Sequence, residues 1–209
     1  MRIIKNPEER KKEIFDAAEI LFVTKGYPKT TIDDILKVIG IAKGTFYYYF
    51  KSKEEIMDAI VMRFIASGVL EAKAIAADPN LTVHEKFMMI IMSQKPEGSN
   101  KEQMIVQLHL VNNAQMHLKS VVESVLQLSP VLTEVLEQGI NEHIMHTPYP
   151  REAIDLILVS SSFLFDESIF KWHPDEVDRK IQSFIYMVEV ILGAETGSFS
   201  FLSAIMKPV

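Results

Sequence analysis

The sequence predicts an all-α protein: a small three-helix unit at the N-terminus, a long connecting helix, and a larger helical body. Three observations lead there. Apolar residues recur at three- and four-residue spacings along most of the chain, the period of a helix with one buried stripe. Strand-like alternation and hairpin dipeptides do not compete with that pattern. The pattern is cut at Asp78-Pro79-Asn80, Lys95-Pro96-Glu97-Gly98, Ser129-Pro130, Thr147-Pro148-Tyr149-Pro150 and Trp172-His173-Pro174, each of which ends a helix. The 209 residues are 48% hydrophobic, spread along the chain rather than gathered into an apolar run of about 18 residues. A soluble two-domain protein with no membrane partner is therefore expected. The absence of cysteine excludes disulfides and thiolate metal sites. Met1-Arg2-Ile3-Ile4-Lys5 runs straight into a helix start rather than an apolar leader, so a cytoplasmic location is expected.

The first helix starts at Asn6-Pro7-Glu8-Glu9 and stops at Lys25-Gly26. Ile14, Ala18, Leu21 and Phe22 give it an apolar stripe. Thr30 and Thr31 each precede an acid by three residues, Asp33 and Asp34, so a capped second helix starts at about Thr31. Its buried stripe is Ile32, Ile35, Leu36 and Ile39, and Gly40 gives the following turn its conformational freedom. Ile41 plugs the angle between this helix and the next. The third helix runs from about Ala42 to Tyr49, with Phe46, Tyr49 and Phe50 facing inward. Lys43, Gly44, Thr45, Tyr47 and Tyr48 are left facing out. Ser52 then caps a long helix from Lys53 to about Ala77, with Glu54 and Glu55 in its first turn.

Two short helices around a glycine turn, the second with an outward face of Lys, Gly, Thr and Tyr and no acid, form a pattern suited to reading DNA. Lys meets phosphate or guanine, Gly lets backbone approach closely, and hydroxyls bond phosphate oxygens. Three consecutive tyrosines make little sense in a core, where every hydroxyl needs a partner. The segment Thr30 to Glu55, above all Lys43-Gly44-Thr45-Phe46-Tyr47-Tyr48-Tyr49-Phe50 followed by Lys51-Ser52-Lys53-Glu54-Glu55, resembles the N-terminal DNA-binding domain of the TetR family of bacterial transcriptional regulators. The resemblance covers roughly residues 8 to 57. It implies that Thr31, Thr45, Tyr47 and Lys53 hold phosphates and that Lys43, Gly44 and Tyr48 face base edges. Ala42 departs from the family, which often has Ser there. Losing that cap costs about 1 kcal/mol of local stability.

Charge points the same way. Residues 1 to 53 hold eleven Lys/Arg against seven Asp/Glu, a net of +4, whereas residues 54 to 209 hold eleven against twenty-one, a net of -10. A basic head on an acidic body is oriented toward a duplex by its own field.

In the body, helices are expected near 82 to 94, 101 to 114, 117 to 128, 130 to 146, 151 to 170 and 174 to 192, the last closed by Gly193. That makes nine or ten helices, divided into a helix-turn-helix head at 1 to 52, a connector at 53 to 77 and an effector-binding and dimerisation body at 78 to 209. Phe87, Met88, Met92, Met104, Leu108 and Met116 are candidates for a soft pocket lining; core packing is the alternative. The last two long helices carry broad apolar stripes, with Ile157, Ser161, Leu164, Phe165, Phe184, Val188 and Ile191 as the candidate dimer surface. The resemblance implies a two-fold interface there. The apolar tail from Ala194 to Val209 is expected to dock on the body or on a partner subunit.

His143 and His146, three apart beside Glu142, match a metal spacing but lack a third ligand, so neither a metal nor a cofactor is expected. No phosphate loop, G-x-S-x-G or H-E-x-x-H motif is present, and no enzyme is expected. The reading is a homodimeric transcriptional regulator on an inverted-repeat operator, a repressor released by a small apolar or amphipathic effector. The alternative is a helical protein-interaction adaptor, which would leave the Lys, Thr and Tyr face without a purpose.

Overall fold

The computed structural model describes residues 6–95 and 117–206 in full and the backbone of 114–116. All regular structure among the described residues is helical. The described residues fall into two compact units: the chain through Phe64 with the stretch ending at Ser120, and Ile65–Lys95 with the stretch from Val121 onward.

In the first unit, α1 (Pro7–Leu21) starts as the sequence predicts, with the Asn6 side chain accepting from the Glu8 N–H at 3.2 Å. It does not run on as an α-helix to Gly26. Phe22–Gly26 widen into a π turn, where the Thr24 hydroxyl donates to the Ile20 carbonyl at 2.7 Å and competes for a ladder acceptor. Phe22 and Tyr27 are both buried, their rings edge to face at 4.9 Å. Then follow α2 (Ile32–Ile39), α3 (Lys43–Tyr49) and α4 (Lys53–Ala76). Ile14, Ala18, Phe22, Ile35, Phe46, Phe50, Ile56 and Ile60 are buried and form the core that holds α2 and α3 in place.

The second unit contains the rest of α4, α5 (Val83–Gln94), most of α6 (Ala114–Asn141), α7 (Pro150–Leu164), α8 (Pro174–Leu192) and α9 (Leu202–Met206). The helix expected at 101 to 114 lies outside the described residues except for its last position. Ser129-Pro130 does not break the chain: α6 passes through it as one helix. A proline in a helix interior costs about 3 kcal/mol. Leu128, Val131, Leu132, Val135 and Leu136 are all buried around it, at about 1.5–3 kcal/mol each, so packing outweighs the local penalty. α7 stops at Leu164 rather than near 170, because the Trp172 indole N–H takes the Leu164 carbonyl at 2.8 Å and Asp166 folds a turn around the Ser168 N–H at 2.8 Å.

The apolar tail docks on its own unit. Phe199 is 1% exposed and edge-on to Phe87 at 5.4 Å. The buried Glu189 carboxylate holds the tail by accepting from the Gly197 and Phe199 N–H groups at 2.9 and 3.1 Å. Gly193 ends α8 at φ +58, and a Cβ built there would lie 2.1 Å from the His146 carbonyl oxygen. Gly40, at φ +67, has nothing within 4 Å of the same position. Gly40→Ala is therefore expected to cost only the left-handed backbone penalty, about 1–2 kcal/mol. Gly193→Ala must also displace backbone and should cost clearly more; urea unfolding of the two variants checks this, and equal losses would refute the clash.

Candidate nucleic-acid interface

The frame of the reading unit is built from side chains that close helix ends. The Thr31 hydroxyl accepts from the Asp34 N–H at 3.1 Å and donates to the Asp34 carboxylate at 2.8 Å, and the Thr31 N–H donates to that carboxylate at 2.8 Å. This is the capping box the sequence predicts. Its closure directs the Thr31 hydroxyl proton to Asp34. The Lys25 ammonium sits on the same Asp34 oxygen. That hydrogen bond first, and the two from Thr31 after it, hold the Asp34 carboxyl well below the usual range. Gly40 then turns the chain in the left-handed conformation, its N–H on the Leu36 carbonyl at 2.9 Å.

α3 begins at Ala42 without a side-chain cap, as expected from the missing Ser. Phe46 is fully buried, while Tyr47 and Tyr48 are 46% and 80% exposed. Tyr47 is edge-on to Phe46 at 5.4 Å, and Tyr48 is edge-on to Tyr49 at 5.0 Å, so ring contacts within the helix orient the exposed tyrosines. Lys43 and Gly44 are exposed, Thr45 is half-buried, and the space beyond the Gly44 Cα is empty to 4 Å. Lys43, Gly44, Thr45, Tyr47 and Tyr48 are thus gathered on one short helix.

Lys53 faces the backbone of the segment between α1 and α2. Its ammonium donates to the carbonyls of Tyr27 at 2.8 Å and Thr30 at 3.0 Å, and lies 4.2 Å from the centre of the Tyr27 ring. Partial burial pushes its pKa down, with Glu54 pulling the other way. The Tyr27 hydroxyl donates to Glu54 at 3.2 Å; burial first, and then the Glu54 charge, push the phenol pKa up. Tyr27 was missed by the sequence reading, and Thr30, weighed there beside Thr31 as a helix cap, is instead buried with its carbonyl on Lys53. A Tyr and a Thr ahead of a helix cap carry no periodic signal that would have marked them.

Among the described residues, the pocket candidates Phe87, Met88 and Met92 lie on α5. Phe87 is 2% exposed and part of the core, Met88 is half-buried, and Met92 is 48% exposed; Met104, Leu108 and the Met116 side chain lie outside the described residues. Among the described residues a cavity of about 610 Å³ is lined by Phe165, Phe170, Trp172, Val177 and Met206, with Glu167, Lys171 and Asp178 among its walls. Phe184 and Val188, expected at a subunit surface, are 8% and 2% exposed and pack in the chain's own core, Phe184 against Phe165 at 5.5 Å. Periodicity marks a stripe without saying which neighbour covers it. Ile157, Ser161, Phe165 and Ile191 are half-buried and Leu164 is 39% exposed. The outward apolar face of α7 and α8 is Leu156, Val159, Tyr186, Met187 and Val190, at 43–63% exposure.

The lowered Asp34 pKa fixes a sign. A carboxyl depressed in the folded state contributes stability that is complete above its unfolded value of about 3.9 and is lost as the pH falls through the folded value. Asp34→Asn is expected to be less stable than wild type at pH 7, with the gap narrowing steadily below about pH 4. Urea unfolding across that range checks it, and a gap independent of pH would contradict it.

Comparison with known proteins adds to this geometry. Residues 14–60 match the bacterial regulatory proteins of the tetR family, and residues 95–187 match a tetracyclin repressor-like C-terminal domain. The HTH-type transcriptional regulator YhgD of Bacillus subtilis is 39% identical over 77 residues, 37% of this chain and 40% of that protein. The negative transcriptional regulator IcaR of the Staphylococcus epidermidis biofilm operon is 50% identical over 46 residues, 22% of this chain and 25% of that protein. The chain thus aligns with less than half the length of these relatives. SmeT, the repressor of the Stenotrophomonas maltophilia efflux pump SmeDEF, shares the fold at 19% identity, with a TM-score of 0.59 over 90% of this chain and 92% of that one. With a capped helix-turn-helix at one end, a matching helical body at the other and a fold shared along nearly the whole length, the chain belongs to the TetR family of bacterial regulatory proteins.

Proposed function

We propose that the chain is a homodimeric, sequence-specific transcriptional repressor of the cytoplasm, with α3 laid in the major groove of an inverted-repeat operator. The observation that carries this reading is the composition of the exposed side of α3. Lys43, Gly44, Tyr47 and Tyr48 are exposed and Thr45 half-buried on a helix whose opposite side is anchored by the buried Phe46; in this reading Lys43, Gly44 and Tyr48 meet base edges and Thr45 and Tyr47 meet phosphates. A net charge of +4 over residues 1 to 53 supports it.

Residues 1–52 act as the reading head, 53–77 as connector and 78–209 as the body. The exposed apolar side of α7 and α8, with Tyr186, Met187 and Val190 at its centre, is the surface that pairs two copies. Pairing sets two heads about 34 Å apart, one helical turn of DNA. The relatives support repression: IcaR is described as a negative regulator and SmeT as a repressor. SmeT also has a structure in complex with triclosan. An effector here would act by preferring one spacing of the heads over another. No catalytic role is assigned to any residue.

Selection of duplexes from a random DNA library by the purified protein is expected to return an inverted repeat. Enrichment of nothing by a folded protein would favour a helical adaptor. Gly44→Ala separates reading from folding. With open space around the added methyl, it should leave stability unchanged or raise it by up to about 1 kcal/mol, yet weaken operator binding by blocking close approach of the backbone. Unchanged operator affinity would remove Gly44 from the contact surface. Tyr48→Ala should relax preference at one base position by about 1–3 kcal/mol, measured by competition with single-base operator variants. A loss spread evenly over all duplexes would assign Tyr48 to the backbone.

A further inference from the structure

We infer that Lys53 is a positioning residue that locks the reading head to the first turn of α4, rather than a phosphate anchor. The inference rests on the DNA-binding reading above. An ammonium has three protons to donate, and two are held by the Tyr27 and Thr30 carbonyls at 2.8 and 3.0 Å. Those carbonyls lie just past the π turn that ends α1, and Thr31, the cap of α2, follows directly. Lys53 is itself the first residue of α4. One side chain therefore joins the end of the α1 segment, the start of α2 and the start of α4.

The joint is closed from the other side. Lys53 lies over the Tyr27 ring at 4.2 Å, and the Tyr27 hydroxyl returns to Glu54 of the same α4 turn at 3.2 Å. Thr30 is 1% exposed, its hydroxyl on the Gly26 carbonyl at 2.8 Å. Swinging the ammonium out to a phosphate would take its charged donor from the Thr30 carbonyl and leave the Tyr27 carbonyl only the Thr30 N–H at 3.2 Å, which is shared with Gly26, a cost that does not arise for a freely solvated lysine. Farther along α4, Arg63 adds a second, more exposed tie, pairing with Glu19 and Asp16 of α1 and lying 4.3 Å over the Phe15 ring.

The test compares Lys53→Met and Lys43→Ala with wild type on the selected operator and on an unrelated duplex, each across a salt series. Lys53→Met is expected to lose about tenfold in operator affinity, in line with the loss of hydrogen bonds to a charged group. Its affinity for the unrelated duplex and its salt slope should be unchanged. Lys43→Ala should flatten the slope by about 0.9. A slope lowered by the same amount in Lys53→Met, with both duplexes weakened alike, would overturn the proposal. Partial unfolding would also weaken both duplexes alike, so a drop in the ratio of the two affinities marks positioning. If Lys53→Met does not fold, the lysine ammonium resonance of the unaltered protein replaces it. It should be observable without DNA and unmoved by operator, and a shift on binding would overturn the proposal. Failure of wild type to select any duplex would instead overturn the DNA-binding reading itself.

Discussion

Every helix end exposes backbone N–H and C=O groups that need partners, and satisfying them decides which polar side chains of this protein remain for anything else. Thr31 and Asp34 close the start of α2, Thr82 and Glu85 the start of α5, and the Trp172 indole takes a carbonyl at the end of α7. Glu189 receives two N–H groups of the tail, and Lys53 caps the carbonyls left behind the π turn. Several of these residues look functional in a list of charged and hydroxylic side chains. Their geometry commits them to holding the chain in place.

The reading surface emerges by subtraction. Phe46 supplies the burial that seats α3, and the π turn brings Phe22 and Tyr27 into the core above it. The exposed Lys43, Gly44 and Tyr48 have no role in that core, and Tyr47 touches it only through the edge of Phe46. The short α3 would not be stable alone, since an isolated helix needs roughly 12–15 residues. Its face exists because Phe46 and Phe50 are buried beneath it. A substitution at Phe46 would therefore read as lost DNA binding while acting through the fold, whereas one at Gly44 would not.

The head was legible in the sequence because its signals are local. A capping box, a glycine turn and an apolar stripe each span a few residues, and α2 and α3 begin within a residue of where those signals place them. The π turn was not legible: it arises from Thr24 competing for a carbonyl and from the fit of two rings. In the body, tertiary packing overrode local propensity. Pro130 reads as a break, yet the five apolar residues around it are buried along one continuous helix. The stripes of α7 and α8 were visible, but Phe184 and Val188 turned out to serve the chain's own core and Tyr186, Met187 and Val190 its surface. A period of 3.6 residues gives the angle between faces and says nothing of what each face meets. Thr31 and Lys53 were singled out by resemblance, and only coordinates show where their protons go.

The charge balance explains why such positioning matters. Residues 1 to 53 carry a net of +4 and residues 54 to 209 a net of -10, so bulk attraction to the phosphate backbone is limited and the acidic remainder opposes it. Nonspecific binding draws on counterion release, which scales with the number of phosphates neutralised. Lys25 is paired to Asp34 and Lys53 faces backbone carbonyls, so two of the eleven cations in residues 1 to 53 are drawn away from that purpose. On the reading proposed above, discrimination rests on a small set of base and backbone contacts from α3, each sensitive to the orientation of that helix. A protein with a large basic patch tolerates a loosely held reading helix, because charge keeps it on the duplex. This one has to hold α3 in register, and the lysine that a charge count would assign to the DNA contributes more by fixing the frame.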